Sequence, residues 1–326
     1  MKRRSSDQAG AALLMAMLIV ALVATLAAAM VWQQWRSIQV ESAERARTQS
    51  AWILHGALDW SRLILREDAR ADNANAAGRP PHDHLGEPWA TPLAEARLST
   101  FLAADRDNNT DSGPEAFLSG QIVDAQARYN LRNLVADDGK LKPAELAVLT
   151  RLCEAASLPG DTASRIAQAL AAAWAPRVVG EADPANRRLA PQRLAQLSWV
   201  GVDAATLEIL RPLVELLPLA TPINLNTAAR EVIAAVLDLD LATAERLVQA
   251  RQRSAFQTLD AVKPLLPPTL TLEPARVGVG SSYFHVSGRL RLDERVLEET
   301  SLVRRNGADV VSLNRERRSW HAGSIK

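Results

Sequence analysis

Cysteine is almost absent from this chain of 326 residues, since Cys153 stands alone, and an intramolecular disulfide is therefore excluded. Leu149, Leu152 and Ala156 share a helical face with Cys153, so we interpret the thiol as a buried core group. Aromatic residues make up only 4% of the chain, and Ala and Leu dominate, which favours a mostly helical body. The 15 glycines and 17 prolines are too few for a low-complexity chain.

An excess of charge is also missing. The 38 basic and 37 acidic residues give a formal net charge of +1, so no global basic field exists to attract nucleic acid. Arginines are frequent between residues 289 and 318, including Arg304 and Arg305. We interpret them as solvated residues on the outer face of a sheet, with a basic face for an acidic partner as the alternative. No Ser-His-Asp, Cys-His or paired-carboxylate constellation can be assembled, and we predict that the chain is not an enzyme.

The most informative segment is apolar. Residues 11–31 contain only Thr25 as a polar residue, and basic residues 2–4 precede them. This run is long enough to cross a bilayer as a helix, and the positive charges predict a cytoplasmic N-terminus and an external body. Three interpretations compete: a secretory signal cut near Ala29, a plain signal anchor, and a short leader cut between Gly10 and Ala11 before an uncut helix.

The residues after this run favour the last interpretation. No proline occurs before Pro80, and Ala46, Ser50, Ile53, Ala57, Trp60 and Ile64 recur at steps of three and four. We therefore expect one helix from Ala11 to about Arg66, with this apolar stripe packed on a globular domain. A cleaved secretory signal has no reason to continue into such a helix.

At this point the sequence resembles a known family. Gly10, followed by Ala-Ala-Leu-Leu-Met-Ala-Met-Leu, resembles the N-terminus of type IV pilins and type II secretion pseudopilins. Met15 stands at the fifth mature position, where most of those proteins have glutamate, and this absence is characteristic of minor pseudopilin K. The stretches at 119–126 and 129–134 are similar to the Ser-Gly-x-Ile-x-Asp-x-Gln and Asn-Leu-x-Asn-Leu blocks of the same family.

The resemblance implies an α+β fold, in which a pilin-like long N-terminal helix packs on a small antiparallel sheet. A large all-α insertion, SAM-like or helix-hairpin-helix-like, interrupts that domain. The expected parts are a leader (1–10), a transmembrane helix (11–31), the periplasmic half of the long helix with the first part of the α/β domain (32–125), the insertion (126–270), closing strands (271–313) and a mobile tail (314–326).

The insertion contains a weak internal repeat. Asn130 and Asn133 precede a helical hairpin within one predicted module, at about 126–217, and Asn224 and Asn226 precede one within a second, at about 221–265. We interpret the asparagines as turn or cap residues. Within the first module, Pro143 is predicted to start a helix and Asp161 to cap the next, and a further helix pair is expected between 191 and 217.

The second module also resembles the helix-hairpin-helix modules of DNA-binding competence proteins. Those hairpins need a glycine-rich turn whose N–H groups face phosphate. Here the turn reads Leu237-Asp238-Leu239-Asp240-Leu241, which would repel phosphate. Protein contact is the preferred interpretation. A membrane-anchored DNA-uptake protein remains the main alternative, beside an anchored hydrolase and a minor pilin of a type IV pilus.

Two segments have metal-ligating residue types. His82 and His84 flank Asp83, but no third ligand is apparent nearby, so a solvated loop is preferred. Asp105, Asp107, Asn109 and Asp111 alternate oxygen ligands as calcium prefers, although a solvated acidic turn explains the spacing equally well. The pseudopilin K family binds calcium in its globular domain, and the resemblance favours calcium here. No cofactor is required.

Near the C-terminal end, residues 281–291 alternate with a period of two and predict a strand. Shorter strands are expected at 298–304 and 310–313, and His285 is interpreted as a sheet residue, not a base. Asp124 has no partner in the sequence that would make it catalytic.

The function implied by the resemblance is assembly of a secretion pseudopilus. A prepilin peptidase would cut after Gly10, with possible N-methylation of Ala11, and the inner membrane would hold residues 11–31. The body would lie in the periplasm and associate with minor pseudopilins I and J, through them with pseudopilins H and G, and with the inner-membrane assembly platform. Its place would be the pseudopilus tip, where it would initiate or limit growth for export of folded proteins; no nucleic acid is expected as a partner.

Overall fold

A computed structural model describes residues 9–75, 81–98, 116–175, 189–292, 294–321 and 323. The chain divides into two compact units, Met1–His55 and Gly56–Lys326. Helix α1 (Ala9–Asn75) begins in the first unit and ends in the second. It continues nine residues beyond the expected end at Arg66, because the sequence from Ala11 to Asn75 has no proline and only one glycine, Gly56.

The second unit contains the rest of the described helices. They are α2 (Pro143–Ala155), α3 (Thr162–Trp174), α4 (Ala204–Leu210), α5 (Arg230–Leu237) and α6 (Leu241–Arg253). Pro143 starts α2 as predicted. Asp161 precedes α3, but its backbone is already helical and its side chain pairs with Arg165 instead of capping, so that prediction was wrong. The helix pair expected within 191–217 is present as a 3-10 helix, Leu194–Val200, followed by α4.

Nine strands in the described part of the chain form three sheets. They are β1 (Leu93–Arg97), β2 (Ala116–Asp124), β3 (Tyr129–Asn130), β4 (Val214–Glu215), β5 (Ile223–Asn224), β6 (Val277–Gly278), β7 (Tyr283–Leu292), β8 (Arg295–Asn306) and β9 (Asp309–His321). The main sheet has the antiparallel order β1-β2-β7-β8-β9. The two small sheets, β3-β4 and β5-β6, are parallel pairs in the helical region.

The part of α1 in the second unit packs on the main sheet. Leu58 and Leu65 join Trp89, Phe284 and Val303 in one apolar cluster, and the rings of Trp89 and Phe284 meet edge to face at 5.2 Å. The predicted stripe was wrong at Trp60, which is exposed. Two residues turn an α-helix by about 200°, so burial of Leu58 places Trp60 on the opposite side.

The C-terminal strand is longer than expected. β9 reaches His321, so residues 314–321 are strand and not a mobile tail. Pairing with β8 explains this extension: Arg317 contacts the buried carboxylate of Glu299 at 2.6 Å, and Ser301 and Ser312 share a hydrogen bond of 2.7 Å. The two-residue turn Gly307-Ala308 joins the strands, and Gly307 has a φ of +55°, which glycine adopts readily.

The helical region has its own apolar core, built from all five of its helices and the small sheets. Leu149, Leu170, Leu210 and Val232 are fully buried in it. Cys153 is buried in the same core, as predicted. A smaller apolar cluster, which includes Ala125, Leu217, Tyr283 and Leu302, lies where this region meets the main sheet.

Candidate functional site

The start of α1 has the properties of a membrane anchor. Gly10 and Ala11 lie on the backbone of the helix, and the large apolar side chains from Leu13 to Val31 are exposed. The helix contains an 18-residue window with a mean hydropathy of 2.7, so it is long and apolar enough to cross a bilayer. Met15 is 70% exposed within this apolar surface. The expected processing residues, Gly10 and Ala11, thus lie in the first turn of this helix, next to its exposed apolar side chains.

A second exposed feature lies on the part of α1 that carries the sheet. Trp60 is 64% exposed and Leu63 is 42% exposed, three residues further along the helix. A Cβ atom added at Gly56, one turn before Trp60, would meet no atom within 4 Å apart from its chain neighbours and the backbone of α1 itself. Large aromatic side chains exposed on a helix are typical of contact surfaces. We name Gly56, Trp60 and Leu63 the outer face of α1.

The first asparagine pair closes the first helical module. Asn130 accepts a hydrogen bond from the backbone N–H of Arg132 at 3.0 Å, as a turn-capping residue does. It also donates to the carbonyl of Leu219 at 2.7 Å. Asn133 donates to the carbonyl of Thr221 and accepts from its N–H, at 2.9 and 3.0 Å. Both side chains therefore fasten the beginning of the module to the segment that follows it.

The second pair repeats this pattern. Asn224 accepts from the N–H of Asn226 at 2.9 Å. Asn226 donates to the carbonyl of Phe256 and accepts from its N–H, at 2.9 and 2.8 Å. The repeat predicted from the sequence is thus visible in the contacts: in each module one asparagine caps a turn, and the other bonds both backbone groups of a residue at the far end.

Asp124 joins the main sheet to the second module. Its carboxylate accepts hydrogen bonds from Thr227 Oγ1 at 2.5 Å, Ser281 Oγ at 2.6 Å and Asn224 Nδ2 at 3.1 Å. Burial raises the pKa of Asp124 to about 6, although the two hydroxyl donors act in the opposite direction. These hydrogen bonds hold the end of β2 against the end of β5 and the residues that follow it, and against those that precede β7, so the arrangement positions two parts of the fold.

Arg305 forms the second buried polar centre. Its guanidinium contacts Asp68 Oδ2 at 2.7 Å, forms a short ion pair with Asp83 and donates to the Ser281 carbonyl at 3.0 Å. The interpretation of Arg305 as a solvated outer-face residue was therefore wrong, because two carboxylates compensate its burial. The solvated loop expected at 82–84 was also wrong at Asp83, which is fully buried.

His285 lies on β7, as predicted for a sheet residue. It faces a cleft of about 360 Å³ between the main sheet and the helical region. Its Nε2 lies 2.7 Å from Glu215 Oε2, and Arg128 lies 3.0 Å from the same oxygen. Burial alone would raise the pKa of Glu215, but these two partners hold it below its ordinary value. A carboxylate held by two basic side chains is a structural ion pair.

The turn between α5 and α6 argues against a phosphate site. Asp238 adopts the left-handed conformation that a glycine has in such turns, with a φ of +56°. The carboxylate of Asp240 accepts a hydrogen bond from the Thr243 N–H at 2.9 Å, so it occupies the N-terminus of α6. Two carboxylates at this position repel a nucleic-acid backbone.

Two groups of residues need separate comment: the acidic loop at 105–111, and the buried cluster of Asp68, Asp83 and Arg305. Asp105, Asp107, Asn109 and Asp111 lie outside the described residues, so calcium at this loop stays a prediction. Asp68, Asp83 and Arg305 were missed as a cluster, because the Asp83–Arg305 contact spans 222 residues of sequence. Arg305 itself is the signal that could have revealed this cluster. It is a charged residue within an alternating strand, at a position where an apolar side chain is expected.

The chain is similar to known proteins over most of its length. Family models described as "Type II secretion system (T2SS), protein K" match residues 127–219 and 223–277. A protein named "Type II secretion system protein K" from Pseudomonas aeruginosa is 31% identical over 308 residues, which is 88% of this chain and 86% of that protein. A protein of the same name from Pectobacterium carotovorum is 28% identical, over 95% of this chain and 97% of that protein.

One solved structure has a similar fold. It is a chain in the crystal structure of the GspK-GspI-GspJ complex from the type 2 secretion system of enterotoxigenic Escherichia coli. The TM-score is 0.62 at 20% sequence identity, and the match covers 84% of this chain and 98% of that chain. The predicted α+β architecture, with a long N-terminal helix, an antiparallel sheet and further helices, is confirmed.

Proposed function

The chain belongs to the type II secretion system protein K family and is a minor pseudopilin of that system, and from this premise we propose that it occupies the tip of the pseudopilus. The observation that carries the proposal is α1, a single helix whose apolar start is exposed and whose other end packs on a sheet. A helix of this kind serves as membrane anchor and as filament spine. The chain's role is structural, and we propose no catalysis for it.

Processing and topology follow from the same helix. We propose that a prepilin peptidase cuts between Gly10 and Ala11, that the inner membrane holds residues 11–31, and that the body lies in the periplasm. N-methylation of Ala11 and contacts with the assembly platform belong to the same proposal. The basic residues 2–4 support a cytoplasmic N-terminus.

The tip position is supported by Met15. In a filament, a carboxylate at the fifth position pairs with the N-terminal amine of an adjacent subunit, because an unpaired charge in lipid is costly. A subunit with no subunit above it has no amine to neutralise. Met15 has no carboxylate for such a pairing, which fits that position. The bulk of the helical region, from β3 to β6, also fits a terminal place better than a repeating one.

We propose minor pseudopilins I and J as the direct partners. The solved structure with a similar fold is that of a GspK-GspI-GspJ complex, and the outer face of α1 offers an exposed aromatic surface for a neighbouring helix. Pseudopilins H and G would join through I and J. Together the three proteins would initiate or limit growth of the pseudopilus.

Co-purification tests this proposal. The full-length chain, extracted in non-ionic detergent from cells that contain the whole secretion system, should retain pseudopilins I and J. Trp60→Arg should reduce their recovery at least tenfold, because it places a charge in the contact. Trp199→Arg is the matched control, since Trp199 is 50% exposed and lies away from α1, in the helical region.

Two outcomes of this experiment would contradict the proposal. Equal recovery with both variants would remove α1 as the contact surface. Absence of both partners from the wild-type chain would contradict the proposed complex itself. Circular dichroism of each variant shows whether the fold is retained.

A further inference from the structure

Where α1 ends, it meets the loop that follows it in a cluster of metal-ligating side chains. Asp68 and Asp72 lie on the last turns of α1, and Glu87 lies before a short 3-10 turn at Pro88–Ala90. One carboxylate oxygen from each of the three lies within 4.8 Å of the others. The Nδ1 atom of His82 lies 3.9 Å from Asp72 Oδ1. From the sequence alone His82 had no nearby ligand partner, and the fold places Asp72 beside it.

The oxygens in this cluster are not used equally. Asp68 Oδ2 accepts from Arg305 at 2.7 Å. Glu87 Oε2 accepts from the His84 N–H at 3.0 Å and from Trp89 Nε1 at 2.5 Å. Asp72 differs: its side chain is only 11% exposed, and its Oδ2 is buried without a hydrogen-bond partner among the described residues.

A buried carboxylate oxygen without a donor is costly, at about 1–3 kcal/mol and more for a charged group. A bound cation is the usual solution where several carboxylates converge. The local charges agree. Asp68, Asp72, Asp83 and Glu87 supply four carboxylates, and Arg305 is the cation in contact with two of them.

We propose that Asp68, Asp72, Glu87 and His82 form a binding site for a divalent transition-metal ion of the zinc class. Donor atoms held at about 2.1 Å from one ion lie at most about 4.2 Å apart. The carboxylate cluster therefore needs a contraction of at most about 0.6 Å. The contact between His82 and Asp72, at 3.9 Å, needs none, but His82 lies outside the group of three and has to approach Asp68 and Glu87. Mixed carboxylate and imidazole donors suit zinc, whereas calcium takes six to eight oxygen ligands.

His84 is excluded from the ligand set by its own hydrogen bond. Its Nδ1 accepts the N–H of Gly86 at 3.1 Å, so the neutral ring carries its proton on Nε2, the atom nearest Glu87. Burial lowers the pKa of His84 and keeps the ring neutral. A bound ion would tie the end of α1 to the loop at 82–87 and, through Asp68 and Arg305, to β8.

Zinc binding by the full-length chain in non-ionic detergent tests the site. The protein is freed of metal with a chelator, transferred to chelator-free buffer, and titrated with Zn²⁺ by isothermal calorimetry at pH 7.5. We expect one equivalent to bind with micromolar or tighter affinity. Asp72→Asn and His82→Gln should each weaken it at least tenfold. Asp72 is preferred to Asp68, because a substitution of Asp68 would also remove its ion pair with Arg305.

The controls separate this site from other ligands. His55→Gln removes a histidine on another part of α1, and Asp105→Asn with Asp107→Asn removes the acidic loop; neither should change zinc affinity. Binding should weaken at least tenfold between pH 7.5 and pH 5.5, because protons compete for the same ligands. Three results would overturn the proposal: no saturable zinc binding, unchanged affinity in Asp72→Asn, or calcium binding in place of zinc at this position.

Discussion

Replacing Arg305 by methionine should destabilise the second unit more than almost any other single substitution of similar size. Methionine keeps much of the length of the side chain, but it removes the donors to Asp68, Asp83 and the Ser281 carbonyl. It also removes the guanidinium from above the Phe284 ring, where the separation is 4.8 Å. Two buried carboxylates then lack their cation.

The magnitude follows from this geometry. Breaking a buried pair by removing one partner costs about 3–5 kcal/mol, because the remaining charge is uncompensated. In a domain of 150–250 residues, each kcal/mol lowers the midpoint of thermal unfolding by about 2–4 °C. Arg305→Met should therefore lower the midpoint by about 6–20 °C at pH 7.5. The difference in midpoint between Arg305→Met and the unsubstituted chain should become smaller towards pH 5, because Asp68 and Asp83 take up protons more readily without Arg305.

The assay is thermal unfolding of the full-length chain in non-ionic detergent, followed by far-ultraviolet circular dichroism with chelator present. Arg304→Met is the matched control, because Arg304 is the neighbouring residue on β8 and is exposed. Arg305→Lys keeps the charge without the forked geometry and should give an intermediate loss. Midpoints of Arg305→Met and Arg304→Met that agree within about 2 °C would refute the reasoning.

Two further predictions concern buried titratable groups. Burial raises the pKa of Asp124 to about 6, of Asp68 to about 6 and of Glu87 to about 7, so the folded chain binds these protons more tightly than the unfolded chain. The stability gained from these protons is complete below the unfolded pKa values and is lost as pH rises through 6–7. The midpoint of thermal unfolding, measured with chelator present, should therefore fall between pH 5.5 and pH 8, and it should fall less in Asp124→Asn. A midpoint that rises with pH would contradict this assignment. Burial, with Glu154 nearby, raises the pKa of Cys153 to about 11. Ellman's reagent at pH 8 should therefore leave the native chain unmodified and label one thiol after denaturation. Rapid labelling of the native chain would show that the helical core is open.

The sequence predicted those elements whose cause is local. α1 follows from the lack of proline before Pro80 and from the apolar run at 11–31. β7 follows from its alternation, and the asparagine repeat from its spacing. The side of α1 that faces the sheet was not predictable from spacing, since Trp60 fits the helical period but lies opposite Leu58.

The remainder depends on contacts between distant parts of the chain. In the sequence, Arg305 is one arginine among many. The fold shows that it contacts Asp68 and Asp83. His82 likewise gains its neighbour Asp72 only where α1 ends beside the following loop. β9 continues to His321 because Glu299 on β8 provides a buried partner for Arg317. Such pairs have no periodic signature, and a single sequence cannot reveal them.

The central claim is that α1 is the exposed spine of a processed pseudopilin, and the mature N-terminus tests it most directly. Mass spectrometry of the full-length chain should be made from cells with and without a prepilin peptidase. We predict a chain that starts at Ala11 only when the peptidase is present, and an unprocessed leader when it is absent. A start at Met1 in both strains, or a start after Ala29, would contradict the account.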